Sequence, residues 1–198
     1  MSVGSAERVI STEHEHRLLI DGELRDARGG DLFEVLNPAT GEVAGVVADA
    51  SLADMDEEIG AARRAFDTTS WAADRSFRER ALRQLHVALV GEREELRREL
   101  VEEVGAPLLS TYGAQLDWPL DDTLPWGADE IGRFAWERRI ADSTLMGAQS
   151  QRWVFKEPVG VVGAIVPWNF PFEILIGKLV PALATGNTVV VKASPETP

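Results

Sequence analysis

The stretch Val159–Pro198, VGVVGAIVPWNFPFEILIGKLVPALATGNTVVVKASPETP, decides how this chain folds. It contains two continuous apolar runs, Val161–Val166 and Thr188–Val191, which lack the polar alternation of a half-exposed strand. We therefore predict two buried parallel strands joined by a crossover helix, with Asn169 and Lys192 at their carboxyl ends. Because ligands of open parallel sheets bind outside those ends, an amide and an ammonium group should face one crevice.

The predicted crossover helix has apolar residues at helical spacing and signals for its end. Gly186-Asn187 gives a left-handed stop, and Pro181 removes one main-chain donor, which predicts a kink. The apolar residues at helical spacing are Phe172, Leu175, Ile176, Leu179, Val180 and Leu183. The same pattern fits a βαβ unit of an unrelated α/β protein, because buried strands alone carry no functional information.

Four motifs in collinear order make the chain resemble the aldehyde dehydrogenase superfamily. Two of them are PWNFP at Pro167–Pro171 and GNTVVVKASPETP at Gly186–Pro198. The others are LNPATGEV at Leu36–Val43 and EEVGAP at Glu102–Pro107. The resemblance covers nearly the whole chain and implies the α/β fold of that family's cofactor-binding domain. In this chain the doubly wound parallel sheet would be incomplete, preceded by an N-terminal strand-turn-strand and long helices.

The resemblance implies that Asn169 is a catalytic residue. Its side-chain amide would donate to the oxyanion that forms when a thiol adds to an aldehyde, and one such donor stabilises the charge by about 3–4 kcal/mol in comparable sites. The residues alone allow another role, because asparagine is a good helix N-cap and a helix follows at once. Both roles stay open at the level of sequence.

The same resemblance implies a nicotinamide cofactor at the carboxyl ends of the strands. Lys192 and Ser194 should face its adenosine ribose, and many family members have a glutamate at the position of Pro195. Since that carboxylate repels a 2′-phosphate, its replacement by proline leaves NADP possible, although we expect NAD. The other expected cofactor contacts are Val166, Pro167, Trp168 and Asn169. The GxGxxG fingerprint of the usual Rossmann phosphate loop is absent from the sequence.

The chain contains no cysteine, whereas the nucleophile of the family is a cysteine. Thr197-Pro198 also resembles the start of a helix, with a capping hydroxyl followed by proline. We therefore interpret the chain as the N-terminal part of an NAD(P)-dependent aldehyde dehydrogenase, which forms a carboxylic acid through a cysteine thiohemiacetal. By itself the chain should be inactive. The alternative is a non-catalytic remnant that binds nucleotide weakly or associates with full-length subunits.

We assign residues 1–198 to one partial cofactor-binding domain, with a polar, flexible tail over residues 1–16. Ser51–Phe66 and Ser76–Val104 have helical periodicity, and Gly91 should interrupt the second helix. The expected apolar stripe of the first helix consists of Leu52, Met55, Ile59, Ala62 and Phe66.

Two prolines interrupt the segment Leu108–Ile140, so we predict two short helices there. The second should run around Gly127–Glu137, with Ile131, Phe134 and Ala135 facing inward. Three nearby tryptophans are interpreted as packing residues rather than as a ligand cage: Trp118, Trp126 and Trp136.

Residues 143–157 alternate loosely between apolar and polar types, which is typical of a partly exposed strand. By position this segment resembles the oligomerisation strand of the family, which pairs across subunits. We therefore expect a homo-oligomer, because an unpaired apolar edge is costly to leave bare.

The net charge of −13 limits the possible partners. The acidic excess lies in the first 140 residues and disfavours nucleic acid, whose binding requires phosphate neutralisation. No apolar run is long enough for a membrane span, and the N-terminus lacks the apolar core of a signal peptide. We expect a cytoplasmic protein whose partner is a small-molecule aldehyde, and we assign no metal site.

Overall fold

A computed structural model describes residues 16–198 as a mixed α/β structure. The predicted tail lies outside this range apart from His16, whose carbonyl accepts a hydrogen bond from the Ala48 N–H at 2.9 Å. The elements of the first half are β1 (Leu18–Ile20), β2 (Glu23–Arg25), β3 (Leu32–Leu36), β4 (Val43–Ala48), α1 (Leu52–Thr68), α2 (Arg75–Gly91) and α3 (Arg93–Glu103). The second half contains α4 (Leu108–Thr111), a π-helical turn (Pro119–Thr123), α5 (Leu124–Arg133), β5 (Glu137–Leu145), β6 (Ala148–Phe155), β7 (Val161–Ile165), α6 (Pro171–Ala184) and β8 (Thr188–Lys192).

Two antiparallel hairpins open the described chain. Asp21 and Gly22 connect β1 to β2 with positive φ angles of 56° and 80°, a conformation that glycine and short polar residues tolerate best. Asn37 begins the turn between β3 and β4, where its side-chain oxygen accepts the Ala39 N–H at 2.9 Å. The predicted strand-turn-strand is confirmed.

Helix α1 begins where the sequence predicts, directly after Ser51, but part of its predicted apolar stripe is exposed. The Ser51 hydroxyl accepts the Asp54 N–H, and the Asp54 carboxylate accepts the Ser51 N–H at 2.9 Å, a reciprocal capping box. Asp54 is therefore 2% exposed, whereas Leu52 of the expected stripe is 88% exposed. The Ala62 carbonyl faces the sheet and accepts the Thr188 hydroxyl at 2.9 Å. The stripe prediction is wrong at Leu52 and at Ile59, which is 44% exposed, because the cap sets the helix rotation.

The long predicted helix is divided at Gly91, as the sequence indicates, into α2 and α3. Arg97 on α3 is 4% exposed. Its guanidinium donates to Thr111 Oγ1 and to the Asp117 carboxylate, both at 2.9 Å. A buried charge must be paired to be tolerated, and these two bonds tie α3 to α4 and to the irregular segment that precedes the π-helical turn.

The main core lies between α2, α5 and α6. Its buried apolar residues are Leu82, Leu124, Ala128, Ile131, Ile176, Val180 and Ala184. At the edge of this core the Arg78 guanidinium donates to three main-chain carbonyls, those of Trp71 (2.7 Å), Ala72 (2.9 Å) and Ala184 (3.2 Å). Desolvation by burial, joined by the charge of Arg75, lowers the pKa of Arg78.

The helix predicted around Gly127–Glu137 starts and ends earlier than expected, as α5. Phe134 is already extended (φ −68°, ψ 138°), because the chain turns there toward β5. Phe134 and Ala135 are exposed, which corrects the prediction that they face inward. Trp136 is buried instead, and its indole N–H donates to the Ile131 carbonyl at 2.8 Å.

The three tryptophans do not share one environment. Trp136 is 9% exposed, whereas Trp118 is 62% and Trp126 is 55% exposed. The packing interpretation therefore holds for Trp136 within the described chain, and the other two rings lie at the surface.

Residues 143–157 form parts of two strands rather than one. β5 and β6 pair as an antiparallel hairpin, and their turn is made by Met146 and Gly147, with φ angles of 50° and 82°. The prediction of a single strand is wrong because apolar alternation continues across this turn and hides it. The hairpin exposes apolar side chains, among them Leu145, Met146, Trp153 and Phe155.

The predicted βαβ unit is present: β7 and β8 are parallel neighbours, connected by α6. Both α1 and α6 contact the two strands. The strands were predicted to be buried, but Ile165 of β7 is 68% exposed. Among residues 16–198, β7 pairs with β8 alone, so no further strand covers it. Within those same residues, no helix combines the length and apolar character that a membrane crossing requires.

Gly127 on α5 lies directly against Val180 of α6. A Cβ at this position would lie 2.0 Å from Val180 Cγ1, and Val180 is fully buried. Gly132 on the same helix would place its Cβ in open space.

We predict that Gly127→Ala lowers the free energy of unfolding by about 1–3 kcal/mol, because the core cannot admit the methyl group without strain. Gly132→Ala is the matched control and should be neutral or stabilise by up to about 1 kcal/mol through helix propensity. Urea unfolding followed by circular dichroism measures both changes. Equal effects of the two substitutions would contradict the close approach.

Candidate functional site

The parallel register brings the two predicted site segments together. Ile165 at the end of β7 is the partner of Lys192 at the end of β8. One residue further on, the Val166 N–H donates to the Lys192 carbonyl at 3.0 Å. The turn that follows Val166 and the segment that follows Lys192 therefore leave the sheet side by side.

The turn between β7 and α6 presents Trp168 and Asn169 at the surface. Trp168 is 56% exposed, and Asn169 is also exposed. The N-cap of α6 is Phe170, without a side-chain capping bond, and Pro171 occupies the first helical position. The N-cap alternative for Asn169 is therefore wrong. Within residues 16–198 no hydrogen bond engages the Asn169 side chain, so its amide is available to a ligand.

The main chain of Asn169 is held from another part of the molecule. Gln115 Nε2 donates to the Asn169 carbonyl at 3.0 Å, and Gln115 is 4% exposed. Sequence reasoning missed this residue, because Gln115 lies in an irregular segment between α4 and the π-helical turn, where no periodicity or motif distinguishes it.

The segment after β8 folds into a tight turn next to Lys192. The Lys192 ammonium is exposed and donates to the Ala193 carbonyl at 2.9 Å. Ser194 is 9% exposed, its hydroxyl donates to the Glu196 carboxylate, and its carbonyl accepts the Thr197 N–H at 3.1 Å. Pro195 lies exposed within this turn.

A carboxylate is thus present beside Lys192, one residue after the position expected for the family's glutamate. The hydrogen bond from Ser194 is the main cause that lowers the pKa of Glu196, and the charge of Lys192 contributes. Glu196 therefore carries a negative charge at neutral pH. Sequence reasoning did not single it out.

Two cavities flank these segments. One of about 260 Å³ lies between α3, α6 and the end of β8 and is lined by Val166, Phe172 and Ala193 among others. The second, of about 520 Å³, is lined by Trp168, Pro195 and Glu196 together with the end of β3. Glu103 at the end of α3 lines both of them.

Among the carboxyl groups of the described residues, that of Glu103 has a strongly shifted pKa. Desolvation by burial, followed by the charges of Glu99 and Glu102, raises the pKa of Glu103 to about 7. Among residues 16–198 no cluster of three or more histidine, aspartate or glutamate side chains is arranged to hold a metal ion.

A parallel βαβ unit that presents an amide and a lysine at its carboxyl edge has the arrangement of a nucleotide-binding α/β domain. The model of the aldehyde dehydrogenase family matches residues 25–198. The chain belongs to the aldehyde dehydrogenase family.

Known relatives agree in sequence and in structure. Aminoacetaldehyde dehydrogenase of Pseudomonas aeruginosa is 39% identical over 184 residues, which cover 91% of this chain and 36% of that protein. Betaine aldehyde dehydrogenase of Staphylococcus aureus, solved with NAD+, superposes with a TM-score of 0.84 at 32% identity, over 93% of this chain and 36% of the other. An NADP-dependent enzyme of E. coli superposes with a TM-score of 0.84 at 32% identity, over 93% of this chain and 37% of that enzyme. The chain therefore spans about a third of the length of these relatives.

These comparisons confirm the predicted family and the α/β fold class. They include dehydrogenases solved with NAD+, which agrees with the expected cofactor. The structure brings Val166, Lys192 and the start of the turn at Asn169 to one edge, as expected from the strand ends, and Ser194 follows Lys192 by two residues. The individual roles of these residues stay predictions.

We predict that Glu103→Gln raises the free energy of unfolding by about 1–3 kcal/mol at pH 8 and leaves it nearly unchanged at pH 4.5. The folded pKa lies above the ordinary value of 4.5, so the folded state holds the proton more tightly. This contribution is present below pH 4.5 and is lost as the pH rises through about 7. Urea unfolding across this pH range tests the change, with the exposed Glu42→Gln as control. A difference that does not depend on pH would contradict the raised pKa.

Proposed function

We propose that this chain forms the cofactor-facing part of an NAD-dependent aldehyde dehydrogenase, which oxidises an aldehyde to a carboxylic acid through a cysteine thiohemiacetal. The family supports the reaction class. The observation that carries the proposal is the register of β7 and β8, which pairs Ile165 with Lys192, so that the turn containing Asn169 leaves the sheet beside Lys192. The chain has no cysteine, so the nucleophile must come from outside these 198 residues.

The residues at this edge fit a nicotinamide cofactor. The Lys192 ammonium is exposed and bonds to a carbonyl of its own segment, so ribose hydroxyls can replace that weak contact. Main-chain groups along the turn come from Val166, Pro167 and Trp168. Ser194 follows Lys192 by two residues in the sequence. When bound, the nicotinamide supplies the hydride acceptor. The role of the chain is to hold and orient it.

Asn169 is the residue of this chain that would act on the reacting atoms. Thiol addition to an aldehyde converts the carbonyl oxygen into an oxyanion, and an amide N–H aimed at that oxygen stabilises the charge. The exposed side chain without a hydrogen-bond partner among residues 16–198 supports this role, because a preorganised donor must be free before the substrate arrives.

NAD is the cofactor that we propose, although Pro195 removes the usual carboxylate. Glu196 supports this choice, since its charge is electrostatically coupled to Lys192 and is held by Ser194. A 2′-phosphate on the same ribose would meet this negative charge, and like charges in close approach disfavour a ligand.

The second candidate is a non-catalytic protein that binds nucleotide or associates with full-length subunits. The exposed apolar hairpin β5–β6 favours association, because Leu145 is 74% and Phe155 is 59% exposed. We propose that this hairpin contributes to a homo-oligomer.

We also propose a cytoplasmic location, because the cysteine-free composition suits a reducing compartment.

We predict that the isolated chain oxidises no aldehyde, whereas a hybrid enzyme does. In the hybrid, residues 16–198 replace the matching segment of the Pseudomonas aeruginosa relative, which supplies the rest of the protein. Asn169→Ala in the hybrid should lower the single-turnover rate of NADH formation by about a hundredfold and leave the Kd of NAD nearly unchanged. Aminoacetaldehyde, which the relative's name indicates as substrate, serves in the assay.

Three outcomes of this experiment would count against the proposal. Turnover by the purified isolated chain would contradict the need for an external nucleophile. An Asn169→Ala hybrid with an unchanged rate would remove the oxyanion role. An inactive hybrid that folds and whose chain still binds NAD would favour the non-catalytic candidate.

For the cofactor, we predict that Glu196→Gln in the hybrid raises the affinity for NADP relative to NAD by about tenfold, which corresponds to about 1.4 kcal/mol. The reason is the removal of a negative charge near the ribose site. Calorimetric titration with each cofactor gives the ratio, and Glu157→Gln, an exposed change away from this turn, is the control. An unchanged ratio would show that Glu196 takes no part in cofactor choice.

A further inference from the structure

Gln115 is a buried polar residue whose two side-chain atoms are used unequally. Its Nε2 donates to the Asn169 carbonyl at 3.0 Å. Its Oε1 is buried and has no hydrogen-bond partner among residues 16–198. The assignment of the two atoms follows from the partner, because a carbonyl oxygen accepts from an N–H and not from another oxygen.

An unpaired buried acceptor is unfavourable for folding. A methionine or leucine of similar volume would fill the same space without that penalty. Folding stability therefore gives little reason for an amide at this position. The use that remains is the donor, which reaches the main chain of Asn169 across 54 residues of sequence.

The support behind Gln115 is rigid. Arg97, itself 4% exposed, binds Thr111 and Asp117 on either side of Gln115 in the sequence. The Gln115 N–H also donates to the Ser110 carbonyl at 3.2 Å. The donor thus projects from a segment that is fixed at both ends.

The Asn169 end of this contact has few other restraints. Pro171 at the start of α6 has no N–H, and the N-cap Phe170 makes no side-chain bond. A shift of the main chain at Asn169 would carry the Asn169 side chain with it, and the Gln115 bond opposes that shift.

We propose that Gln115 is a positioning residue for the reaction: its amide fixes the Asn169 main chain so that the Asn169 side chain points at the developing oxyanion. This inference rests on the proposed function of Asn169. A displacement of about 1 Å in a catalytic group can lower a rate by about a hundredfold. Loss of the Gln115 donor should therefore slow the chemical step and leave cofactor binding unaffected.

The test uses Gln115→Met in the hybrid enzyme, because methionine keeps the length and volume of glutamine and removes both polar atoms. We expect the single-turnover rate of NADH formation to fall about ten- to a hundredfold. The Kd of NAD should change by less than about twofold, and the urea midpoint should stay near that of the parent, since the unpaired Oε1 is removed together with the bond. Gln84→Met, the same change at an exposed site on α2, is the matched control and should alter none of these values.

A double-mutant cycle separates positioning from other roles. In the Asn169→Ala background, Gln115→Met should cause no further loss of rate, because the side chain that it positions is gone. A full additional loss there would overturn the inference, as would an unchanged rate in the single Gln115→Met variant.

The remaining outcomes also decide the question. If Gln115→Met does not fold, Gln115→Leu is measured in the same way, and failure of both to fold assigns Gln115 to stability and overturns the inference. If Asn169→Ala alone leaves the single-turnover rate unchanged, this result contradicts the proposed function of Asn169. The positioning role of Gln115 is then overturned as well, because it depends on that function. A rate loss in Gln115→Met with an intact Asn169 effect and no additivity supports the inference.

Discussion

The side chain of Asn187 holds the βαβ unit together. Its Oδ1 accepts the N–H groups of Val159 (2.7 Å) and Gly160 (3.0 Å) at the entrance to β7. Its Nδ2 donates to the Ala182 carbonyl (3.1 Å) and the Thr185 hydroxyl (2.9 Å) at the end of α6. Asn187 is 6% exposed, and both polar atoms are paired. A buried, fully satisfied amide of this kind specifies one arrangement, because any shift leaves a polar group without a partner.

The position of the site follows from this arrangement. With the starts of β7 and β8 fixed against each other, five residues of parallel pairing carry the register to Ile165 and Lys192 at the opposite edge. The turn at Asn169 and the segment from Lys192 onward then emerge together. Under the proposed function, cofactor and aldehyde would meet at this edge, and one crossover helix separates the residues proposed to hold them in the sequence.

Contacts from distant segments then refine the geometry at this edge. Gln115 restrains the main chain of Asn169, and Ser194 holds the Glu196 carboxylate near Lys192. Glu103 reaches the same region from the end of α3, where burial keeps its carboxyl group hard to ionise. The edge thus combines a free amide, an ammonium group and two carboxyl groups. The pKa of Glu196 is lowered, whereas the pKa of Glu103 is raised to about 7.

Elements with local signals were predictable in detail. The Asp21-Gly22 turn, the Ser51 cap and the helix break at Gly91 all appear where their residue types indicate, because each depends on φ preferences or hydrogen bonds within a few positions. The motif around Asn169 and the run ending at Lys192 likewise led to the family and to the expected pairing of the two strand ends. The predictions failed where side-chain burial was inferred from periodicity, as at Leu52 and Phe134, since rotation of a helix and the exit of a chain depend on distant neighbours.

Local residue chemistry was therefore enough for most of the strands and helices, and the resemblance of the motifs led to the family. The hairpin turn at Met146 within apolar alternation, the contact of Gln115 with Asn169 and the pairing of Ser194 with Glu196 became evident in three dimensions. Gln115 and Asn169 are 54 residues apart, and no spacing rule connects them. Whether a buried amide supports structure or orients a catalytic group depends on which atoms surround it, and that is decided by tertiary packing.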